Sequence, residues 1–393
     1  FFAEQEKKLR RGDAEIARLY LPNGALPEAG TLLPNEDLAK TMEALAQHGR
    51  DGFYRGPVAE KIVAAMEKNG GVITRQDLAD YRARIVEPVQ MEFRGHTLFA
   101  GPPPTSGAAL FFPIMKALED ERFEGPLRSA ANIDRIARVW RAAFPYVSRT
   151  VADVPQSRQW FEKLIGAESI AEIRKKAAAE PAEKPKKMAM AEEVFYENPM
   201  AATTHFLVAD RHGNIVCATQ SQSLHFGSGV VPPGTGVVLN DSMSNFMFSD
   251  AKSINYVAPG KRSRSTIAPT IVLRGGKPVF AIGIPGSGRI PTALLQALLD
   301  RLAFGRPLAE AIGDTRLHFL SPLRRDESEA IEAEQSLPHA EAQGLRERGW
   351  RVNLPEPAGT GRYFGGINAI EVNADGSLTG IADPRRTNAA AGY

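Results

Sequence analysis

Apolar positions recur with one period before about residue 200 and with another after it. In the first part helical spacing dominates. Leu38, Met42 and Leu45 return every three or four residues behind Asn35, a residue suited to capping. Pro57 fits the first turn of a second helix carrying Val58, Ile62, Val63 and Met66, which Asn69-Gly70-Gly71 halts. Thr74 followed by Asp77 resembles a capping box, with Asp in place of the usual Glu, and predicts a helix over 77–83. Over 89–99 the pattern turns strand-like, with Arg94-Gly95 as the hairpin turn. A stiff loop, Pro102-Pro103-Pro104-Thr105-Ser106-Gly107, leads into an apolar helix over 108–118. Further helices are expected over 133–148 and 157–178.

Residues 179–199 alternate Ala, Glu, Lys and Pro with no core periodicity, the composition of a mobile linker. Strands and turns follow. Segments 203–209 and 214–223 form one expected hairpin. Segments 267–273 and 279–284 form a second around Arg274-Gly275-Gly276-Lys277, and 367–372 and 378–382 a third around Asn373-Ala374-Asp375-Gly376. Helices are predicted over 292–304 and 308–315. Two antiparallel sheets covered by helices fit this order, which is an α+β class. No internal repeat is apparent.

The chain's 393 residues are enough for two average domains or one large two-layer sheet domain. A net charge of +2, with the charges interspersed, gives no case for nucleic acid; the basic run at 184–187 is interrupted by proline and suits a solvated linker. The single cysteine, Cys217, allows no intrachain disulfide and no cysteine-based metal cluster. Its apolar surroundings suit a small buried side chain. No stretch approaches the ~18 apolar residues of a membrane span. The chain starts at Phe1 without methionine, so the native N-terminus is expected to lie elsewhere, and export stays open.

Several catalytic signatures are missing: Gly-x-Ser-x-Gly, His-Glu-x-x-His and the P-loop. Pro232 stands where a dinucleotide fingerprint after Gly227-Ser228-Gly229 would need glycine. The seven histidines are scattered, and strand packing is expected even for His205. Thr203-Thr204-His205 remains, opening an apolar stretch just after the linker. A threonine in mid-chain has no free amine. If the Ala202–Thr203 bond is cut, the Thr203 hydroxyl gains its own α-amino group, with a pKa near ~8, as a base.

Thr203-Thr204-His205, Asp210-x-x-Gly213-Asn214, Phe226-Gly227-Ser228-Gly229 and Asn240-x-x-Met243-x-x-Phe246 together resemble the small subunit of γ-glutamyltransferases. So do Ala268-Pro269-Thr270, Pro285-Gly286, Arg289-Ile290 and Ala391-Gly392-Tyr393. Gly49-x-x-Gly52-Phe53-Tyr54-x-Gly56, Gly70-Gly71-Val72-Ile73-Thr74, Asp77-Leu78 and the 102–107 loop resemble the large subunit, so the likeness runs from about Leu33 to Tyr393. The resemblance implies a four-layer αββα sandwich of the N-terminal-nucleophile hydrolase type, made as a precursor that cuts itself between Ala202 and Thr203. It implies a large-subunit portion over 1–190, a linker and processing region over 191–202, and a small subunit over 203–393. The implied partners are a small-molecule substrate, glutathione or another γ-glutamyl amide, and large and small subunits from one precursor. No cofactor, metal or nucleic acid is implied, and a periplasmic or secreted location is the family's habit.

By the same resemblance Thr203 is the nucleophile, and the backbone N–H groups of Gly286 and Ser287 hold the oxyanion. Ser221 stands where the family has a second threonine hydrogen-bonded to the nucleophile. Ser265 and Thr266 match the serine pair that binds the substrate's α-carboxylate; backing by Arg262 or Arg264 suits that role, as a solvated turn also would. Three departures bear on substrate. The family's Met-Asp-Asp-Phe stretch, whose acidic residue pairs with the substrate's α-ammonium, reads Met243-Ser244-Asn245-Phe246. Ser242 replaces a usual Glu or Gln, and Ser223 a usual Asn; Asp241 is a potential substitute charge. Residues 247–261 are shorter than the lid loop over the pocket in several family members, and the family's long N-terminal region, with a carboxylate-clamping arginine, has no counterpart before Leu33. The expected activity is a self-processing γ-glutamyltransferase or glutathione hydrolase. The alternatives are an amide hydrolase with another acyl group, of cephalosporin-acylase or oxamate type, or an inactive fragment.

Overall fold

The computed structural model describes residues 2–179, 201–319, 330–354 and 363–392, so all of the linker expected over 179–199 except Ala179 lies outside the described residues. The chain forms two packed units. One consists of the chain up to Val86 together with Ser221–Ser242, the other of Glu87–Gln220 together with the chain from Met243 onward.

In the first unit, α1 (Phe2–Arg11) and α2 (Ala14–Tyr20) meet at Asp13. Its Oδ1 caps α2 by accepting from the Ile16 N–H at 2.8 Å. Leu9, Ile16, Leu19 and Leu21 close a small core with Phe226 and Val231. α3 (Glu36–His48) starts at Asn35, whose Oδ1 accepts from Leu38 N–H as a cap should. The apolar stripe of α3 does not mark its buried face. Leu38 and Met42 are exposed, while Thr41 is buried with its hydroxyl donating to the Thr235 carbonyl at 2.8 Å. Periodicity finds a stripe but not what covers it. After α4 (Asp51–Tyr54), α5 (Gly56–Asn69) buries Val58, Ile62 and Met66 and ends at Gly70 in the left-handed region, as predicted. Thr74 and Asp77 form a reciprocal capping box for α6 (Arg75–Asp80), which stops short of the expected 83.

The second unit opens with the hairpin β1 (Val89–Phe93) and β2 (His96–Ala100), turning at Arg94-Gly95. α7 (Gly107–Ala117) and α8 (Ala130–Thr150) follow. The single helix expected over 157–178 is two, α9 (Ser157–Leu164) and α10 (Ala167–Ala178), because Gly166 adopts extended backbone between them. β3 (Ala201–Ala209) and β4 (Ile215–Leu224) pair as a two-stranded ribbon. β5 (Thr270–Arg274) and β6 (Lys277–Gly283) lead to α11 (Arg289–Leu302) and α12 (Leu308–Gly313). The remaining elements are β7 (Leu317–Phe319), β8 (Ala330–Ala333), α13 (His339–Glu347), β9 (Arg351–Asn353), β10 (Asn368–Val372) and β11 (Leu378–Ala382).

A six-stranded antiparallel sheet in the order β1-β2-β5-β6-β10-β11 organises this unit. Val272, Phe280 and Ile282 point from it into a core shared with Phe111, Phe112, Ile136, Leu294 and Leu298 of the covering helices. Gly283, next in β6, takes the opposite face, where the imidazole of His205 from the ribbon lies against it. Helices, sheet and ribbon therefore form three layers. The ribbon's outer face stays exposed at Phe206, Val208 and Val216, so the fourth layer of the expected sandwich is not formed by the described residues of this unit. A separate sheet, β7-β8-β9, was not foreseen, and its β8–β9 pair is parallel. Strands of three or four residues carry too few alternations to register as a period.

The helix-to-sheet approach is tightest at Gly107. A Cβ there would lie 2.5 Å from the Ala268 Cβ and 2.7 Å and 2.8 Å from the carbonyl oxygens of Thr266 and Ile267. Gly107→Ala is expected to destabilise the protein by roughly 1–3 kcal/mol, read as a lowered urea midpoint. An unchanged midpoint would mean that the helix start can shift freely.

Candidate active site

Thr203 lies on β3 as a partly exposed residue, and the strand runs unbroken through Ala202 and Thr203. Alternation along β3 buries His205 while Thr204, Phe206 and Val208 face outward. His205 Nδ1 lies 2.8 Å from the Thr219 hydroxyl, and the His205 carbonyl accepts from Asn368 Nδ2 at 2.9 Å. A Cβ on Gly283 would sit 2.2 Å from His205 Cε1, so the ring fills the space that glycine leaves. Burial pushes the imidazole down to about 4, which keeps it neutral near pH 7. This is a packing histidine, as the sequence suggested. The Cys217 thiol stands within 3.7 Å of the Thr270 and 3.6 Å of the Ile282 carbonyl oxygens. Burial pushes it up to about 12, so the cysteine is inert as a nucleophile.

The turn Pro285-Gly286-Ser287-Gly288 joins β6 to α11. The N–H of Arg289 donates to the Gly286 carbonyl at 3.0 Å, and that of Ile290 to Ser287 at 3.1 Å. Both carbonyls therefore point into the helix. Ser287 holds φ at 54°, unusual for a residue with a Cβ. Its carbonyl also accepts from the Thr266 hydroxyl at 2.9 Å, which brings two of the sequence-selected residues together. Ser265 lies beside them, its carbonyl accepting from Ser106 N–H at 2.6 Å and from the Ser106 hydroxyl at 3.1 Å. The arginines expected behind this pair are engaged elsewhere. Arg262 pairs with Asp153 at 3.0 Å, and Arg264 Nε donates to the Val151 carbonyl at 2.8 Å.

Asn245 ends a 3-10 turn (Ser242–Asn245), and its carbonyl accepts from Asn255 Nδ2 at 2.8 Å. The short stretch 247–261 folds back on itself here, with Met247 N–H donating to Asn255 and Val257 N–H to Met247. Ser221, Ser223 and Ser242 belong to the other unit. There, Ser221 Oγ accepts from Ser223 N–H at 2.9 Å, Ser223 holds φ at 69°, and Ser242 N–H donates to Asn240 Oδ1 at 2.9 Å. Asp241 is not an isolated charge. Burial lowers Lys8 below the ordinary lysine range, and Asp241 acts on it in the opposite direction.

Sequence reasoning passed over two groups. Lys8 Nζ donates to the carbonyls of His225 (2.9 Å) and Gly227, and Asp13 Oδ2 accepts from Val231 N–H at 2.6 Å, so α1 and α2 clamp the Phe226–Gly229 loop. Arg289, buried, stacks on the Tyr363 ring at 3.5 Å from its centroid and reaches Glu332 at 3.5 Å. The available signal was an arginine opening an otherwise apolar helix. Nothing in the sequence pointed to Glu332 or Tyr363.

A gamma-glutamyltranspeptidase family model matches residues 1–393. The chain belongs to the γ-glutamyltranspeptidase family. The match extends the likeness back from Leu33 to the first residue. A glutathione hydrolase proenzyme of Pseudomonas sp. (strain A14) is 32% identical over 98% of this chain and 68% of its own length. An acylase ACY 1 proenzyme of Pseudomonas sp. (strain SE83) is also 32% identical, over 94% of this chain and 63% of its own. The Escherichia coli (strain K12) glutathione hydrolase proenzyme is 31% identical, over 95% and 64%. The chain thus spans about two thirds of the length of these relatives. A crystal structure of cephalosporin acylase from Bacillus halodurans covers 100% of this chain and 69% of its own, at a TM-score of 0.84 and 24% identity, a likeness of fold.

In this γ-glutamyltranspeptidase-family chain the neutral His205 ties stability to pH. Its folded pKa of about 4 lies below the ordinary 6.5. The unfolded chain therefore takes up the proton first. His205's contribution is complete above pH 6.5 and is lost as pH falls toward 4, by roughly 3 kcal/mol at most. Urea midpoints measured from pH 7 to pH 4 should fall for the wild type and fall less for His205→Gln. Equal slopes would remove His205 from the account.

Proposed function

We propose that the protein is a self-processing amide hydrolase and acyltransferase that uses Thr203 as nucleophile, with γ-glutamyl amides such as glutathione as donors. The observation that carries this reading is Thr203 itself, on the first strand after the linker in a chain that matches its family from end to end. In the precursor the Thr203 hydroxyl attacks the Ala202 carbonyl, the peptide nitrogen leaves as the Thr203 amine, and water hydrolyses the ester. In the mature enzyme that amine accepts the hydroxyl proton as Oγ attacks the donor's amide carbonyl. The leaving amine departs with a proton, and a threonyl ester remains for water or an amino acid to resolve.

Gly286 and Ser287 would stabilise the tetrahedral oxyanion through their N–H groups. The geometry of the turn supports this for Ser287, since the Gly286 carbonyl on the same peptide is committed to α11 and turns the Ser287 N–H the opposite way. Each such donor contributes about 2.7–4 kcal/mol in comparable sites. Ser221 would tune the nucleophile, and Ser265 and Thr266 would line the acyl pocket. Ser223, Ser242 and Asn245 would face the donor's α-amino end.

Asn245 favours a second reading. An amide accepts a hydrogen bond from an ammonium but brings no charge, and charged hydrogen bonds contribute about 1.5–3 kcal/mol. Asp241 already acts on Lys8. A donor without an ammonium, of glutaryl type, loses nothing at such a site, and one relative is named an acylase.

Wild-type protein is expected to run as two bands on a denaturing gel, with the smaller piece beginning at Thr203. Thr203→Ala should remain one band and release no p-nitroaniline. Normal turnover by that variant would reject the mechanism. The ratio of kcat/KM for γ-glutamyl and glutaryl p-nitroanilide decides the acyl group; a glutaryl preference of tenfold or more would replace the first donor with the second.

A further inference from the structure

The turn proposed to hold the oxyanion is not self-supporting. Ser287 sits in the left-handed region, which costs a side-chain-bearing residue on the order of 1 kcal/mol or more. Something must hold it there. The Thr266 hydroxyl fixes one carbonyl, and Gly365 presses from the other side. A Cβ on Gly365 would lie 2.4 Å from the Pro285 carbonyl, and one on Gly286 would lie 3.5 Å from the Gly365 Cα. The next residue, Arg289, is 2% exposed and lies flat on Tyr363, two residues before Gly365. The Tyr363 hydroxyl donates to the Glu332 carboxylate, which Arg289 also reaches at 3.5 Å. Burial raises the Tyr363 hydroxyl well above its ordinary range, so it stays a proton donor.

This arginine is a poor choice for stability alone. Its Nε and Nη1 are buried and find no hydrogen-bond partner among the described residues. Each such donor costs about 1–3 kcal/mol, and an apolar side chain of similar volume would avoid that. What the guanidinium supplies is a rigid plane that stacks on the ring while one edge meets the carboxylate, a geometry lysine cannot copy.

We propose that Arg289 is a positioning residue: clamped between Tyr363 and Glu332, it locks the Pro285–Gly288 turn so that the Gly286 and Ser287 amides keep one direction. The proposal rests on the reading of those amides as oxyanion donors, and its test has a readout that needs no substrate. Hydrogen exchange of the peptide covering 284–290, measured by mass spectrometry on the full chain, should be about tenfold faster in Arg289→Lys, with the β5 and β6 peptides unchanged. Tyr363→Phe keeps the ring and loses the Glu332 bond; it should show a smaller change in the same peptide. In active preparations Arg289→Lys should lower kcat about 100-fold, with KM for the preferred p-nitroanilide within about twofold. Unchanged exchange in both variants overturns the proposal. So does acceleration that spreads equally through β5 and β6, which would mark a merely structural residue. Local loosening in a protein that turns over neither anilide would reject the proposed function and leave the positioning role standing.

Discussion

Arg316 is buried just ahead of β7, and its guanidinium is shared among chain segments that meet nowhere else in sequence. It donates to the carbonyls of Phe364 and Gly365 at 3.3 Å and 3.1 Å, to Ile312 at the end of α12 at 3.0 Å, and to the Asp383 carboxylate. Asp383 in turn accepts from Ile367 N–H, ahead of β10, and pairs with Arg385, which reaches Glu334 just after β8. Burial pushes Arg316 down to about 10, still a cation at neutral pH. Burial alone would raise Asp383, but the charges of Arg316 and Arg385 and the N–H groups of Arg385 and Ile367 together outweigh it and hold the carboxylate below its ordinary range. Removing one member of such a pair typically costs about 3–5 kcal/mol, because the partner charge is left stranded. The network fixes the 364–367 segment, and that segment is the wall against which the Pro285–Gly288 turn is set.

The candidate site is thus built on paired charges rather than on the apolar core beneath it. α11 brings a continuous apolar face to the sheet, yet its first residue is an arginine turned toward Glu332 and Tyr363. Helix, turn and neighbouring loop are locked by groups that fit in only one arrangement. For a backbone-amide site this matters more than total stability, since two N–H vectors a few tenths of an ångström astray lose much of their effect. The acyl-chain end proposed above draws on different residues, Asn245 with Ser223 and Ser242.

Much of the fold was legible because its signals are local. The Asn35 cap, the Gly70 stop, the Thr74–Asp77 box and the Arg94-Gly95 turn each depend on a few adjacent residues, and each stands where the sequence put it. The misses are non-local. Leu38 and Met42 have helical spacing yet face outward, and the parallel pairing of β8 with β9 joins segments separated by α13. At the candidate site, the residue types of Thr203, Gly286 and Ser287 could be picked out by family likeness. The ties from Thr266 to Ser287, and from Arg289 to Tyr363 and Glu332, could not, because they close only once distant stretches have met.

Both packed units draw on chain from each side of residue 203: α1–α6 with 221–242 in one, and β1 and β2 with β5, β6, β10 and β11 in the other. Scission ahead of Thr203 would therefore not yield two bodies that can drift apart. Each product would own part of both interiors, and neither would have a complete hydrophobic centre to itself. Such a nick would free one amine while leaving each unit's interior joined across it, so the products should be inseparable short of denaturation.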